Sequence, residues 1–362
     1  MSLSLRQLIG LELQRQLRHT EAQLHPLRTL FWECTLRCNM SCRHCGSDCR
    51  VQPEVKDMPA EDFLRVIDSI TPHVDPHKVF IIFTGGEALL RPDLEQVGLE
   101  LYRREYPWGM VTNGFLLDEK RLDSLLASGM HSITVSLDGF EEEHNWIRRH
   151  PQSFERATAA IRLLAKQKDL LWDVVTCVNP RNYPSLPAFR DYLVQLGVPA
   201  WRLFSIFPMG RAAGNPELQF TDRQFRGLLD FITSCRSHDT AIRVSYACEG
   251  FLGEYEQKVR NRFFQCRSGI DVASIRCDGS ISGCTSVRSH MDQGNIYRDD
   301  FWEVWQNRFQ SMRDRRWTLK DQCASCKVWR YCEGSGLHLY DDDGHLLCCH
   351  YQRLLDSQPA KQ

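Results

Sequence analysis

The sequence predicts an α/β fold, a partial, open (β/α)6 barrel of the TIM-like kind followed by a small cysteine-rich C-terminal domain. Three observations carry this. Short apolar runs alternate with helix-period segments through the body of the chain, helical periodicity fades after about residue 250, and the cysteines gather at the two ends.

Residues 1–27, rich in Leu, Arg and Gln, read as an N-terminal amphipathic helix. They lack the apolar stretch and small-residue cleavage site of a signal peptide. β-rich runs follow at Thr29–Trp32, Val79–Thr84, Met110–Thr112, Ile133–Leu137, Trp172–Val178 and Trp201–Ile206. Helix-period segments fall between them at Ala60–Ile70, Asp93–Arg104, Glu119–Ser128, Phe154–Lys168 and Leu186–Leu196. Such alternation implies a parallel sheet wrapped by helices over residues 28–235, and six strands are too few for a closed eight-stranded barrel. Residues 236–352 read as a domain held by metal rather than by an apolar core, and 353–362 as a disordered tail.

The chain has 362 residues, 42% hydrophobic and 25% charged, with a formal net charge of −1. Gripping nucleic acid or anionic lipid needs a basic excess, so neither is expected as a partner. The densest apolar run, Val79 to Phe83, is strand-sized, so membrane insertion is not expected either and the cytosol is the expected compartment. Sixteen cysteines are the outlier. In a large chain without an export signal they point to zinc or iron–sulfur ligation rather than disulfides.

In parallel α/β folds the chemistry gathers at the C-terminal ends of the strands. A cysteine loop follows the first run, Gly85-Gly86-Glu87 the second, Thr112-Asn113-Gly114 the third, and Ser136-Leu137-Asp138-Gly139 the fourth. Cys38, Cys42 and Cys45 place three thiols on one tight loop, which can hold three irons of a cubane and leave the fourth open. A zinc loop completed by Cys34, Cys49 or His44 is the alternative, and iron–sulfur stands ahead of it on spacing.

This loop resembles the signature of radical S-adenosylmethionine (SAM) enzymes, with His44 in the place usually taken by an aromatic residue. Thr84-Gly85-Gly86-Glu87 resembles the second signature, which contacts the methionyl amino group. Here Ala88 replaces the common proline. Glycines let backbone approach a ligand, and Glu87 suits an ammonium. Ser136 and Arg148 resemble a pair that holds the ribose and carboxylate of SAM, and Asn113 is a further pocket candidate. The resemblance implies a [4Fe-4S] cluster on Cys38, Cys42 and Cys45, SAM as co-substrate, and an external one-electron donor such as a flavodoxin or ferredoxin.

Cys266, Gly279, Cys284, Cys323, Cys326, Cys332 and the pair Cys348-Cys349 resemble the SPASM extension, an auxiliary iron–sulfur domain of radical SAM enzymes that modify peptides and proteins. Together the two resemblances span roughly residues 28 to 350. One auxiliary site is expected on Cys323, Cys326, Cys332 and Cys348. The other, on Cys266 and Cys284, lacks its usual cysteine because position 336 is glycine; it recruits Cys277, Cys248 or His338, stays incompletely ligated, or is absent. The base aspartate of the sulfatase-maturing branch is replaced by Thr285. A SAM-cleaving enzyme acting on a peptide or protein is thus the expected function. A small-molecule cofactor-biosynthesis enzyme and a non-enzymatic iron–sulfur or zinc protein for electron transfer or sensing are the alternatives. His144, Asp271 and Asp278 are read as ordinary surface or turn residues, and no catalytic acid or base is singled out.

Overall fold

The structure is a computed structural model that describes residues 3–47, 49–50, 53–238, 241–247, 249–288 and 291–357. Helix α1 (Leu5–Leu24) starts on a capping box between Ser4 and Gln7 and stops where His25 turns left-handed. Then follow β1 (Thr29–Thr35), α2 (Ala60–Ile70), β2 (Phe80–Gly85), α3 (Leu94–Arg103), β3 (Trp108–Thr112), α4 (Glu119–Ala127), β4 (Met130–Ser136), α5 (Glu141–Arg148) and α6 (Ser153–Leu164). The barrel continues through β5 (Leu171–Val178), α7 (Leu186–Gln195), β6 (Ala200–Ser205), α8 (Asp222–His238) and β7 (Arg243–Tyr246). The C-terminal part holds β8 (Val272–Ile275), β9 (Ser280–Ser282), β10 (Gly294–Asn295), α9 (Phe301–Asn307), α10 (Gln310–Arg313), α11 (Trp329–Cys332) and α12 (His350–Asp356).

All strands join one sheet in the order β10-β9-β8-β1-β2-β3-β4-β5-β6-β7. From β8 to β7 every neighbouring pair is parallel, and a β8–β9–β10 antiparallel meander extends one edge. The ends do not meet, so the barrel is partial, as the alternation predicts. Helix α2 turns an apolar stripe inward, burying Ala60, Phe63, Val66, Ile67 and Ile70. Phe63 stacks on Trp32 of β1 at 4.2 Å between ring centres, and burying each such ring contributes about 1.5–3 kcal/mol.

Three expectations need correction. The sheet has eight parallel strands rather than six, because β7 and β8 come from the region read as separate. A border at 235/236 would cut α8, and β8 pairs with β1 from Thr29↔Val272 to Trp32↔Ile275. The C-terminal region is also not held by metal alone, since Phe301, Val304, Trp305, Phe309 and Met312 are buried within the main cluster and share the barrel's apolar core. The segment from 353 is helical through Asp356 instead of disordered. Arg353 pairs with Asp222 at 2.8 Å and Leu354 is fully buried; residues 358–362 lie outside the described residues. No helix among the described residues is long and apolar enough to cross a membrane.

Candidate active site and auxiliary metal site

The loop leaving β1 brings Cys38, Cys42 and Cys45 into one group at the C-terminal rim, with Met40 and Cys49. Other elements clamp its backbone. Gly86 N donates to Thr35 O at 2.7 Å, Glu87 N to Arg37 O at 2.8 Å, and Arg43 N to Ile147 O of α5 at 2.8 Å. The glycines serve this clamp. A β-carbon on Gly85 would lie 2.1 Å from Thr35 O, and one on Gly86 2.1 Å from Arg37 O. The close approach is therefore to the chain's own cysteine loop, where the sequence suggested approach to a ligand. Gly86→Ala should cost about 3 kcal/mol, because the obstacle is backbone that cannot swing away. Urea unfolding of the metal-free protein measures it, and an unchanged midpoint would contradict the clamp.

Glu87 is fully buried. Its Oε1 accepts from Thr112 Oγ1 at 2.7 Å and Leu89 N at 3.2 Å, and its Oε2 accepts from Asn113 N at 2.8 Å. Burial pushes its carboxyl up, against these hydrogen bonds. Asn113 Nδ2 donates to Asn39 Oδ1 at 2.8 Å, so Glu87 and Asn113 brace the second and third loops to the cysteine loop.

Ser136 ends β4, 8% exposed and in register with Val175. Beyond it Asp138, fully buried, accepts from Arg148 Nε at 2.6 Å and from Cys177 N at 2.8 Å. Arg148 Nη1 also reaches Cys42 Sγ at 3.8 Å. Burial alone would raise the Asp138 carboxyl, but the Arg148 guanidinium beside it holds it below the usual range. Arg148 stays charged: burial opposes its charge, and Asp138 and the Cys42 thiol outweigh that. His44 and His144 are pushed down to about 4 and about 3, chiefly by burial. His44 Nδ1 is buried without a hydrogen-bond partner. The donor atoms of His44, Asp138 and Cys177 lie within 4.8 Å of one another, yet Arg148 already neutralises the one carboxylate, which disfavours a cation there.

His144 is not a surface residue: it is buried, and its Nδ1 accepts from Asp138 N at 2.9 Å. Its sequence signal is the four-residue spacing to Arg148 on one face of α5. Asp271 is likewise buried, paired with Arg267, and its carbonyl accepts from Arg28 N and Thr29 N at the start of β1. Asp278 is an exposed turn residue that accepts from Ser280 N. Asp138 escaped selection although it stands inside the Ser-Leu-Asp-Gly motif.

At the other end, Cys323, Cys326, Cys332 and Cys349 line one cavity of about 290 Å³. Cys332 Sγ accepts from Ser335 N at 3.1 Å and Cys349, the N-cap of α12, from Gln352 N at 3.5 Å. Burial pushes both thiols up. Cys348, the residue expected here, faces Arg353 and Glu249 instead. Cys349 rather than Cys348 thus lines this cavity, because the helix start turns consecutive side chains apart. Cys349→Ala should lose the iron of this site and Cys348→Ala keep it, measured as iron per chain; the reverse result would restore Cys348.

Cys266 and Cys284 are neighbours, and the second thiol is raised by burial. Of the possible replacements for Gly336, Cys277 sits among Glu33, Asp278, Asp57 and Arg288, and Cys248 lies outside the described residues. His338 packs on Phe207 at 4.7 Å with its Nε2 buried and unpartnered, and its ring would lie 2.5 Å from a β-carbon at 336.

Three thiols on one loop beside a buried guanidinium fit an anionic cluster with one open iron, and four thiols on one cavity fit a closed one. The fold and donor sets define an iron–sulfur enzyme of the barrel type. The family model for the radical SAM superfamily matches residues 32–193, and that for an iron–sulfur cluster-binding domain, SPASM, matches residues 266–327. The chain belongs to the radical SAM superfamily and carries a C-terminal SPASM-type domain; its cofactors are SAM, the [4Fe-4S] cluster that binds it, and auxiliary iron–sulfur. It is 26% identical over 349 residues to an AdoMet-dependent heme synthase of Methanosarcina barkeri, covering 90% of this chain and 96% of that one. It is 26% identical over 313 residues to the mycofactocin maturase MftC of Mycobacterium tuberculosis, covering 84% and 77%. The solved structure of anSMEcpe with bound AdoMet shares the fold at a TM-score of 0.72, with 20% identity over 92% of this chain and 95% of that one.

Proposed function

We propose that this enzyme modifies a peptide or protein, with Cys38, Cys42 and Cys45 holding the SAM cluster and Cys323, Cys326, Cys332 and Cys349 an auxiliary one. When bound, the first cluster supplies the electron that splits SAM into methionine and a 5′-deoxyadenosyl radical. The chain's own residues position and shield. Gly85, Gly86, Glu87 and Asn113 set the loop, Arg148 faces the SAM carboxylate, Ser136 its ribose, and His44 closes the pocket beside Cys45. A flavodoxin- or ferredoxin-class donor supplies the electron in the cytosol. All fifteen described cysteines are free, which suits a reducing compartment.

One observation carries the macromolecular substrate. Helix α1 turns Leu5, Ile9, Leu13 and Leu17 to solvent at four-residue spacing, each more than half exposed. The stripe runs to a cavity of about 590 Å³ along the edge strand β7, lined by Leu17, Phe263, Arg28 and Arg262. An exposed apolar stripe ending in a cavity suits apolar side chains of a peptide, and the arginines suit acidic ones on it. MftC, a maturase by name, points the same way.

A small-molecule cofactor substrate is the second reading, favoured by the full-length match to a heme synthase. Deoxyadenosine formation with dithionite separates them. The macromolecular fraction of a cell extract should stimulate it above the uncoupled rate, and Ile9→Glu with Leu13→Glu should remove the stimulation but leave the uncoupled rate intact. Stimulation by the ultrafiltrate alone, indifferent to α1, would establish the second reading.

A further inference from the structure

Four thiols, not three, stand at the end of β1. Cys49, outside every motif, is 2% exposed and packs in one group with Cys38, Cys42 and Cys45. The backbone places it there. Arg37 and Arg50 form a parallel bridge, Arg50 N donating to Leu36 O at 3.1 Å and Cys38 N to Arg50 O at 2.8 Å. The end of the loop is thereby tied beside its beginning. Arg211 ties the loop at two further points. Its backbone N donates to Cys45 O at 3.0 Å and its Nη1 to Cys49 O at 3.0 Å.

A buried cysteine kept only for packing behaves as a small hydrophobe among apolar neighbours, as Cys34 does deeper in the core cluster. Cys49 instead shares a hydrogen bond with Cys45 and feels the charges of Cys38 and Glu33. Its thiol therefore lies against two of the loop's other cysteines. Four thiols in one packed group exceed what a cluster with one open iron needs.

We infer that Cys49 is an exchangeable fourth ligand, capping the open iron while SAM is absent and giving way when SAM binds. This rests on the assignment of Cys38, Cys42 and Cys45 to the SAM cluster. The exchange moves no electrons. The iron–sulfur bond to Cys49 breaks, bonds from iron to the methionyl amine and carboxylate form, and the proton shed by the methionyl ammonium passes to the freed thiolate. The capped state shields the cluster from water and oxidants between turnovers, at the expense of SAM affinity.

The test uses ¹³C-cyanide as a probe of open iron in full-length, anaerobically reconstituted and reduced protein, read by the ¹³C hyperfine coupling of its electron spin resonance. Wild type without SAM should show no coupling, whereas Cys49→Ala should show it. The SAM concentration that half-converts the spectrum should fall several-fold in Cys49→Ala. Cys49→Ser preserves size, so if alanine disturbs the loop, serine decides, again with coupling expected. Equal coupling in wild type and both variants, or unchanged half-conversion, would overturn the capping role. A wild-type signal that SAM leaves unmoved would instead refute the assignment of the three other cysteines, a distinct failure.

Discussion

Alanine at Cys38, Cys42 and Cys45 together is expected to abolish SAM cleavage and remove one cubane's worth of iron, with the auxiliary iron retained. In the proposed assignment these thiolates are the protein's bonds to that cluster, so no partial activity should survive. The fold should survive, because the three side chains pack in a small group apart from the main barrel core of Leu30, Trp32, Phe83, Val135 and their neighbours. Loss of that local packing is expected to cost about 1–2 kcal/mol. Mössbauer spectroscopy on wild type and variant counts the irons, and far-ultraviolet circular dichroism monitors the fold. Unchanged iron in the variant would remove the basis for the whole site assignment.

Arg148→Leu should be the most damaging single substitution outside the cysteines. It leaves the Asp138 carboxylate fully buried without its cation, a loss of about 3–5 kcal/mol. The same change removes the guanidinium proposed to hold the SAM carboxylate, so two effects overlap. The double variant Arg148→Leu with Asp138→Leu separates them, since replacing both partners of a buried pair by apolar groups restores much of the stability. Thermal unfolding should recover in the double variant while SAM binding by calorimetry does not. Recovery of both would reduce Arg148 to a structural role.

The pair also has a pH signature. Asp138 is held below its unfolded value, so its contribution is complete above the ordinary carboxylate range. It fades as pH falls through the lowered value; in Arg148→Leu burial alone raises the carboxyl, so this acid-side loss should disappear and stability should instead fall as the pH rises above the ordinary carboxylate range.

How much of this was legible follows from which interactions are local. The six alternating strands and five intervening helices stand in the sequence because burial periodicity is a local property; α2 matches its expected limits at both ends. Helix α8 is absent from the sequence reading although Phe225, Leu228, Leu229 and Ile232 lie on one face, and it falls across the supposed border. Strand β8 was not, since four residues carry little pattern and its partner β1 lies far away in the chain. At the site, thiol spacing singled out Cys38, Cys42 and Cys45, which the structure gathers in one group, whereas whether Cys348 or Cys349 faces the second cavity depends on how α12 begins. The bracing by Glu87 is a tertiary property: its donors Thr112 and Asn113 come from the next strand and turn. The glycines before it were conspicuous, and what they avoid became visible only once the first loop lay against them.

The position of β1 between β2 and β8 has a consequence for biogenesis. Until Val272–Ile275 leave the ribosome, one hydrogen-bonding edge of the strand that launches the cysteine loop is bare. A nascent chain in that condition is open to mispairing with another, and closure over so long a loop is slow. Iron loading by the cell's assembly machinery would therefore meet a settled loop only after translation is well advanced. Slower growth temperatures and co-produced chaperones should raise the yield of cluster-bearing protein more than extra iron does.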